Sequence, residues 1–477
     1  MSSAVTDENA RPGHAGWGLQ RPALAREIEG YASATSVERG SSIALYVNTR
    51  APVFTLEVFR FGWYQGDGAR RVFGPVTVRG TAQPEPAMDA ATGLVDCAWV
   101  NPFILTTADA QGAWTSGVYL SRLSACDSGA QSWIVFVVRD DTRRADLLVQ
   151  LPVTTWQAYN AWGGKSLYHW GSSGRQRAAC VSFNRPYAAN AQNPAAAYGM
   201  GAGEFLTNLQ PHPDHYGRSN AGWDCNLVRW LESEGHDLAY CTSLDTHARA
   251  PSRAQCKAWL SSGHDEYWSW AMREHVESAR DSGVHLAFFG ANAAYWQIRL
   301  EASATSGSAD RIMVCWKKAS RDPLAAANPS RATDKWRSAA VSRPEEALIG
   351  TMYTADPVDG DIVVTAPDRW LFDGTGLQRG SVLRGLLGYE VDCVQGHGPA
   401  GVQVLATSPW RTTGAKARAG VAHMTLATAP SGALVFATGS MQWAWGLDDF
   451  NAPALRSALR NPAAERITRN RLARFLR

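Results

Sequence analysis

The chain has 477 residues, and a usual domain takes about 100 to 200, so two or three domains and a sizeable core are expected. Lysine and arginine number 46 against 43 aspartate and glutamate, a formal charge of +3 with 19% charged residues, which gives neither nucleic acid nor an anionic membrane an electrostatic hold. No stretch approaches about 18 consecutive apolar residues, and the polar start, Met1 to Glu8, lacks an apolar signal core, so a cytoplasmic protein is expected.

Residues 1–25 show no sustained period and read as an extended arm. From 26 to 144 the pattern is all β. Alternation over 42–47 and 55–61, apolar runs at 118–120 and 133–138, and turn residues at Gly66-Asp67-Gly68 and Asp127-Ser128-Gly129 predict a β-sandwich. The charged run 140–144 marks a boundary, and 145–477 reads as an α/β domain. Its first strand is 145–151, followed by a Gly-, Asn- and Tyr-rich loop over 154–219. Then come a helix at 226–234, a strand at 236–241, a helix starting near Ser252 and a short strand before His264. A helix at 268–282 and a strand at 285–290 complete the alternation, which predicts βαβ units and a parallel sheet. Short strands return at 313–316, 362–365, 402–405 and 433–438, and 461–477 closes the chain as a basic helix.

The eight cysteines are scattered without a C-x-x-C pair, so buried thiols are expected. The 20 tryptophans leave two uses open, core packing or platforms for a flat ligand. Nucleophile elbow, zinc-helix and P-loop motifs are absent. Gly199, Gly201 and Gly203 have no strand just before them, which weakens a dinucleotide reading. The run His212-Pro213-Asp214-His215-Tyr216 reads as a polar loop or a metal-binding run.

The densest chemistry is Gly263-His264-Asp265-Glu266-Tyr267-Trp268, expected at a strand-to-helix turn, where open α/β sheets place ligands. The plainer reading is that Asp265 or Ser269 caps the next helix and His264 bonds the backbone. Tyr159 and Tyr187 lie in the long loop after the first strand. With Glu266 they offer two phenols and a carboxylate, hard oxygen donors suited to highly charged cations, whereas the bland alternative has the tyrosines simply packing.

Six strings occur in an order that resembles the N,N-dimethylformamidase large (beta) subunit family, C-terminal catalytic region. They are Phe61-Gly62-Trp63-Tyr64-Gln65-Gly66-Asp67-Gly68, Trp156-Gln157-Ala158-Tyr159-Asn160-Ala161-Trp162-Gly163-Gly164, Ser182-Phe183-Asn184-Arg185-Pro186-Tyr187, the Glu266 turn, Gly388-Tyr389-Glu390-Val391-Asp392 and Gln442-Trp443-Ala444-Trp445-Gly446-Leu447. The resemblance runs from about residue 30 to the end and implies hydrolysis of a small-molecule amide at mononuclear Fe(3+). It further implies Tyr159, Tyr187 and Glu266 as ligands, His264 beside the metal and Glu390 as general base. On the same analogy a partner is expected, either a small subunit or a second copy.

The fold expected is thus a β-sandwich followed by a parallel-sheet α/β domain resembling the glutamine-amidotransferase or flavodoxin type. The competing function is a non-catalytic protein that binds carbohydrate or another small molecule on an aromatic-rich surface.

Overall fold

Alternation in the first third produces strands whose two faces meet different surroundings. In Ser42–Thr49 every second residue is buried, as a half-solvated sheet requires. Val53–Phe61, Gly117–Ala125 and Gln131–Arg139 are instead buried nearly throughout, because a second layer covers their outer face. The computed structural model describes residues 3–190, 194–210, 221–366, 370–412, 417–452 and 460–477. Within it, Ile28–Ala32, Ser42–Thr49 and Phe103–Thr106 form one sheet of the sandwich. Ser36–Glu38, Gln131–Arg139, Gly117–Ala125, Val53–Phe61 and Ala69–Arg79 form the other in that spatial order.

The arm is not wholly extended. Ser3 caps a short helix, Ala4–Asn9, whose Glu8 pairs with Arg70 at 2.6 Å and whose Asn9 bonds Glu232 at 2.7 Å. Tertiary partners thus order six residues too few to be helical alone.

A seven-stranded sheet carries the rest, in the order Leu238–Thr242, Leu147–Leu151, Ala258–Gly263, His285–Gly290, Leu434–Ala437, Ala419–Thr428, Gln403–Arg411. The first five strands run parallel, Ala419–Thr428 runs against them, and Gln403–Arg411, antiparallel to that strand, runs with the first five. The structure is therefore β-rich with mixed sheets and few helices. The helices Asp224–Ser233, Trp270–Asp281 and Pro462–Phe475 lie within a residue or two of the sequence reading, each having an apolar stripe. The helix expected near Ser252 is only a turn. A capping box of Thr242 and Asp245 starts a helix earlier, Ser243–Ala248, and Pro251 cannot continue it.

The long loop contains a helix that periodicity did not reveal, Val153–Tyr159, buried on every side and hence without a polar face. Gly201, at φ +81°, lies against the sandwich, where a Cβ would come 2.1 Å from the Trp133 carbonyl oxygen, so packing explains this glycine run better than a dinucleotide. The run 212–216 lies outside the described residues. All but two of the described cysteines are buried, and none is disulfide-bonded. Among the described residues the exposed large hydrophobic side chains are aliphatic, so the aromatics pack inside rather than forming an exposed platform. No described helix is long and apolar enough to cross a membrane.

Candidate functional site

The strand Ala258–Gly263 ends where a side chain would not fit. Gly263 has φ +51°, and a Cβ there would lie 2.4 Å from Asp224 Oδ1. The chain then turns through His264, Asp265 and Glu266 into a short strand, Tyr267–Ser269, which pairs with Trp296–Glu301, and only afterwards into the helix Trp270–Asp281. The direct strand-to-helix turn expected from sequence is interrupted because this pairing captures the backbone.

Asp265 and Ser269 have structural duties. Asp265 accepts from Gln150 at 2.7 Å, Ser261 at 2.9 Å and Trp268 at 2.8 Å, while the Ser269 hydroxyl accepts from Met272 N at 3.1 Å and caps the helix. Glu266 is held by its backbone, with its N–H donating to Thr155 Oγ1 at 2.9 Å and its carbonyl accepting from Tyr295 and Trp296, each at 2.9 Å. The carboxylate is thereby fixed before any side-chain contact is counted.

Tyr159, at the end of the buried helix, donates to Glu266 Oε2 at 3.0 Å. The second phenol there is Tyr168, not Tyr187. Tyr168 Oη lies 2.9 Å from Tyr159 Oη and 2.9 Å from Glu266 Oε2, and Tyr267 Oη is 2.7 Å behind it. Tyr187 lines a separate cavity of about 30 Å³ with Tyr31, Phe136, Arg185 and Arg311. The loop doubles back after Tyr159, with Leu167 N bonding Ala158 O at 3.0 Å, and this brings Tyr168 in while carrying Tyr187 past the site. Nothing in the string Ser166-Leu167-Tyr168 announces it except a phenol nine residues beyond the first.

Glu390 lies beside the turn, 3.6 Å from His264. It lies on Val382–Cys393, whose antiparallel partner is Met352–Val363, and its Oε2 accepts from Asn292 Nδ2 at 2.6 Å. His264 Nε2 faces Glu266 at 3.4 Å and Glu390 at 3.6 Å, and its Nδ1 faces the Gln210 amide nitrogen at 3.2 Å. With Gln210 donating to Nδ1, the proton resides on Nε2, which is buried and completes no hydrogen bond. Sequence reasoning missed Asn292, Gln210 and Lys317. The Lys317 ammonium sits 3.4 Å from the centre of the Tyr168 ring and is buried, and its φ of +59° is unusual for a lysine.

Burial dominates the electrostatics. It raises Glu266 and pushes Glu390 well above the usual carboxylate range, with Glu266 and Asp356 adding repulsion at Glu390. Burial, then Glu266, keeps both phenols protonated. Burial, with the Lys317 charge, lowers His264 to about 3, so the imidazole is neutral, and burial brings Lys317 down to about 8. Tyr159, Tyr168, Glu266, Glu390 and Asn292 open on a cavity of about 200 Å³. Half-buried Trp170, Tyr295, Trp296 and Tyr353 line it as well, together with Asp356.

Among the described residues no three His, Cys, Asp or Glu side chains form a metal-holding group. Any ion would need the phenols. Tyr159 Oη, Tyr168 Oη and Glu266 Oε2 form a triangle with sides of 2.9, 2.9 and 3.0 Å. These spacings are those of hydrogen bonds, and the fit to an ion lies in the chemistry of the set: two phenols and a carboxylate are hard oxygen donors of the kind a small, highly charged cation takes.

The model of the N,N-dimethylformamidase beta subunit-like, C-terminal family matches residues 55–457. The chain belongs to this family. No curated protein matches the sequence. The match includes the oxygen triangle, His264, Lys317 and Glu390, so the whole site lies within the family region.

Proposed function

We propose that this member of the family is an amidohydrolase that cleaves the carbon-nitrogen bond of a small amide, with a mononuclear ferric ion held by Tyr159, Tyr168 and Glu266. The oxygen triangle carries the reading. It gathers three hard donors in contact with one another, and it lies on a carboxylate that no described lysine or arginine bonds. Bound there, ferric iron would supply Lewis acidity toward the amide carbonyl and a lowered pKa for water.

The chain's own residues do the rest. Glu390 is the base that receives a proton from water, and its raised pKa brings a carboxylate closer to the basicity such a step needs near neutral pH. Asn292 aims Glu390 through the 2.6 Å bond, and neutral His264 offers Nε2–H between the two glutamates as a donor to the polar end of the substrate. In the net reaction the carbon-nitrogen bond breaks, the water oxygen joins the acyl carbon, and a proton held by Glu390 passes to the departing nitrogen. Aromatic walls limit the entry of other water.

We also read the parallel strands, ordered second, first, third, fourth, fifth along the chain, as the flavodoxin-type arrangement, and residues 1–25, 26–144 and 145–477 as arm, sandwich and catalytic unit. A cytoplasmic setting and a partner, a small subunit or a second copy, complete the proposal. The test is amine release from a panel of formamides and acetamides by iron-replete protein. Glu390→Gln should retain iron and lose about a hundredfold in turnover. Absence of amine release from every amide, or full activity in Glu390→Gln, would overturn the respective part.

A further inference from the structure

The cavity beside Glu266 is lined by carboxylates and by no cationic side chain. Of the twelve residues that line it, seven are aromatic, three are the carboxylates Glu266, Glu390 and Asp356, and none is lysine or arginine. The other polar atom that stands out is an acceptor, Asn292 Oδ1, which is buried and has no hydrogen-bond partner, while its amide nitrogen is taken by Glu390. A neutral amide as small as a dimethylated formamide needs one polar contact region, and this cavity has a second.

That second region comprises Tyr353 and Asp356, both half-buried, whereas Glu266, Glu390 and Asn292 are buried. The Tyr353 hydroxyl donates to Asp356 Oδ1 and orients the carboxylate. Tyr295 packs on Tyr353 with ring centres 5.3 Å apart and on Trp296 at 5.0 Å, giving an edge-to-face cluster that a flat apolar substrate would not need an aspartate to complete. Three cations of the chain already lie near rings of this wall, Lys317 at 3.4 Å from the Tyr168 ring and 4.7 Å from that of Trp296, and Lys335 and Arg337 each at 5.3 Å from that of Tyr295, but none of them lines the cavity and none is placed over the Tyr353 ring. Aromatic faces beside a carboxylate recognise a weakly hydrated cation, because the ring quadrupole and the anion both favour positive charge while the rings tolerate its methyl groups.

We infer that the substrate carries a second group besides the amide, a substituted ammonium seated against Tyr353 and Asp356, with the amide directed to Glu266 and Glu390. The inference rests on the amide-hydrolase reading only for where the scissile bond lies; the preference for a cation is read by binding alone.

The experiment compares choline with its uncharged isostere 3,3-dimethylbutan-1-ol, by calorimetry on the full-length protein at constant ionic strength. Choline should bind about tenfold or more tightly than the isostere. Asp356→Asn should weaken choline by about tenfold while leaving the isostere unchanged, Tyr353→Ala should weaken choline by a larger factor than the isostere, and neither should change the metal content. Equal affinity for the two probes, no choline binding, or unchanged choline affinity in both variants would overturn the inference. Choline binding with these preferences, in a protein that hydrolyses no amide, would leave the cation subsite standing and remove only the hydrolase reading.

Discussion

Glu232 and Glu266 are both buried carboxylates bonded by a phenol, and they differ in what counters their charge. Glu232 accepts from Arg60 at 2.7 and 2.9 Å, from Asn9 at 2.7 Å and from Tyr240 at 2.8 Å. Glu266 accepts from Tyr159 and Tyr168, and the nearby cation, Lys317, lies over the Tyr168 ring instead of bonding the carboxylate. One glutamate closes the contact between the sandwich and the helix Asp224–Ser233. The other leaves charge and donor capacity turned toward a cavity. A completed ion pair builds structure, while the uncompleted one is where the proposed function places the metal.

Removing each carboxylate sharpens this contrast. Glu232→Ala leaves the Arg60 guanidinium buried without a counter-charge and should cost about 3 to 5 kcal/mol, seen as a lowered midpoint in urea. Glu266→Ala should leave the metal-free protein at about its original stability, because the phenols that lose their acceptor keep each other as partners. If both variants unfold alike, the distinction between structural and functional glutamates fails.

A smaller effect is expected where a buried group is kept neutral instead of paired. Leu434 N donates to His285 Nδ1 at 2.9 Å, and burial, with Arg471, Arg253 and Arg474 nearby, lowers this histidine to about 4. A histidine whose folded pKa is depressed binds fewer protons folded than unfolded. Its contribution is therefore complete above about 6.5 and is lost as pH falls toward 4. His285→Gln should flatten that part of the acid limb by roughly 1 kcal/mol, a modest amount because the half-buried ring is screened by solvent. An unchanged pH profile of thermal stability would show that the ring is not held neutral.

Much of the architecture was legible in the sequence because its signals are local. The strand His285–Gly290 was read to the residue, and the helix Asp224–Ser233 to within two, since a run of apolar residues or an amphipathic period needs no tertiary knowledge. Val153–Tyr159 was missed because burial on all sides erases the period, and the strand Tyr267–Ser269 because it exists only through its pairing with Trp296–Glu301. The site divides in the same way. Glu266, His264 and Tyr159 stand in distinctive strings, and the structure brings them together with Glu390. Tyr168 comes from a loop reversal, Asn292 from just past the strand His285–Gly290 and Lys317 from just past the strand Ile312–Val314 of another sheet, so spacing along the chain does not announce their convergence.

The central claim is that two phenols and Glu266 hold a ferric ion, and iron content with visible spectroscopy tests it most directly. Purified protein should contain about one iron per chain and show a phenolate-to-iron charge-transfer band. Tyr168→Phe should weaken or abolish both, and Tyr187→Phe should leave both intact, because Tyr187 lines the other cavity. A protein that binds no iron, or one in which Tyr187→Phe removes the band while Tyr168→Phe preserves it, would contradict the account.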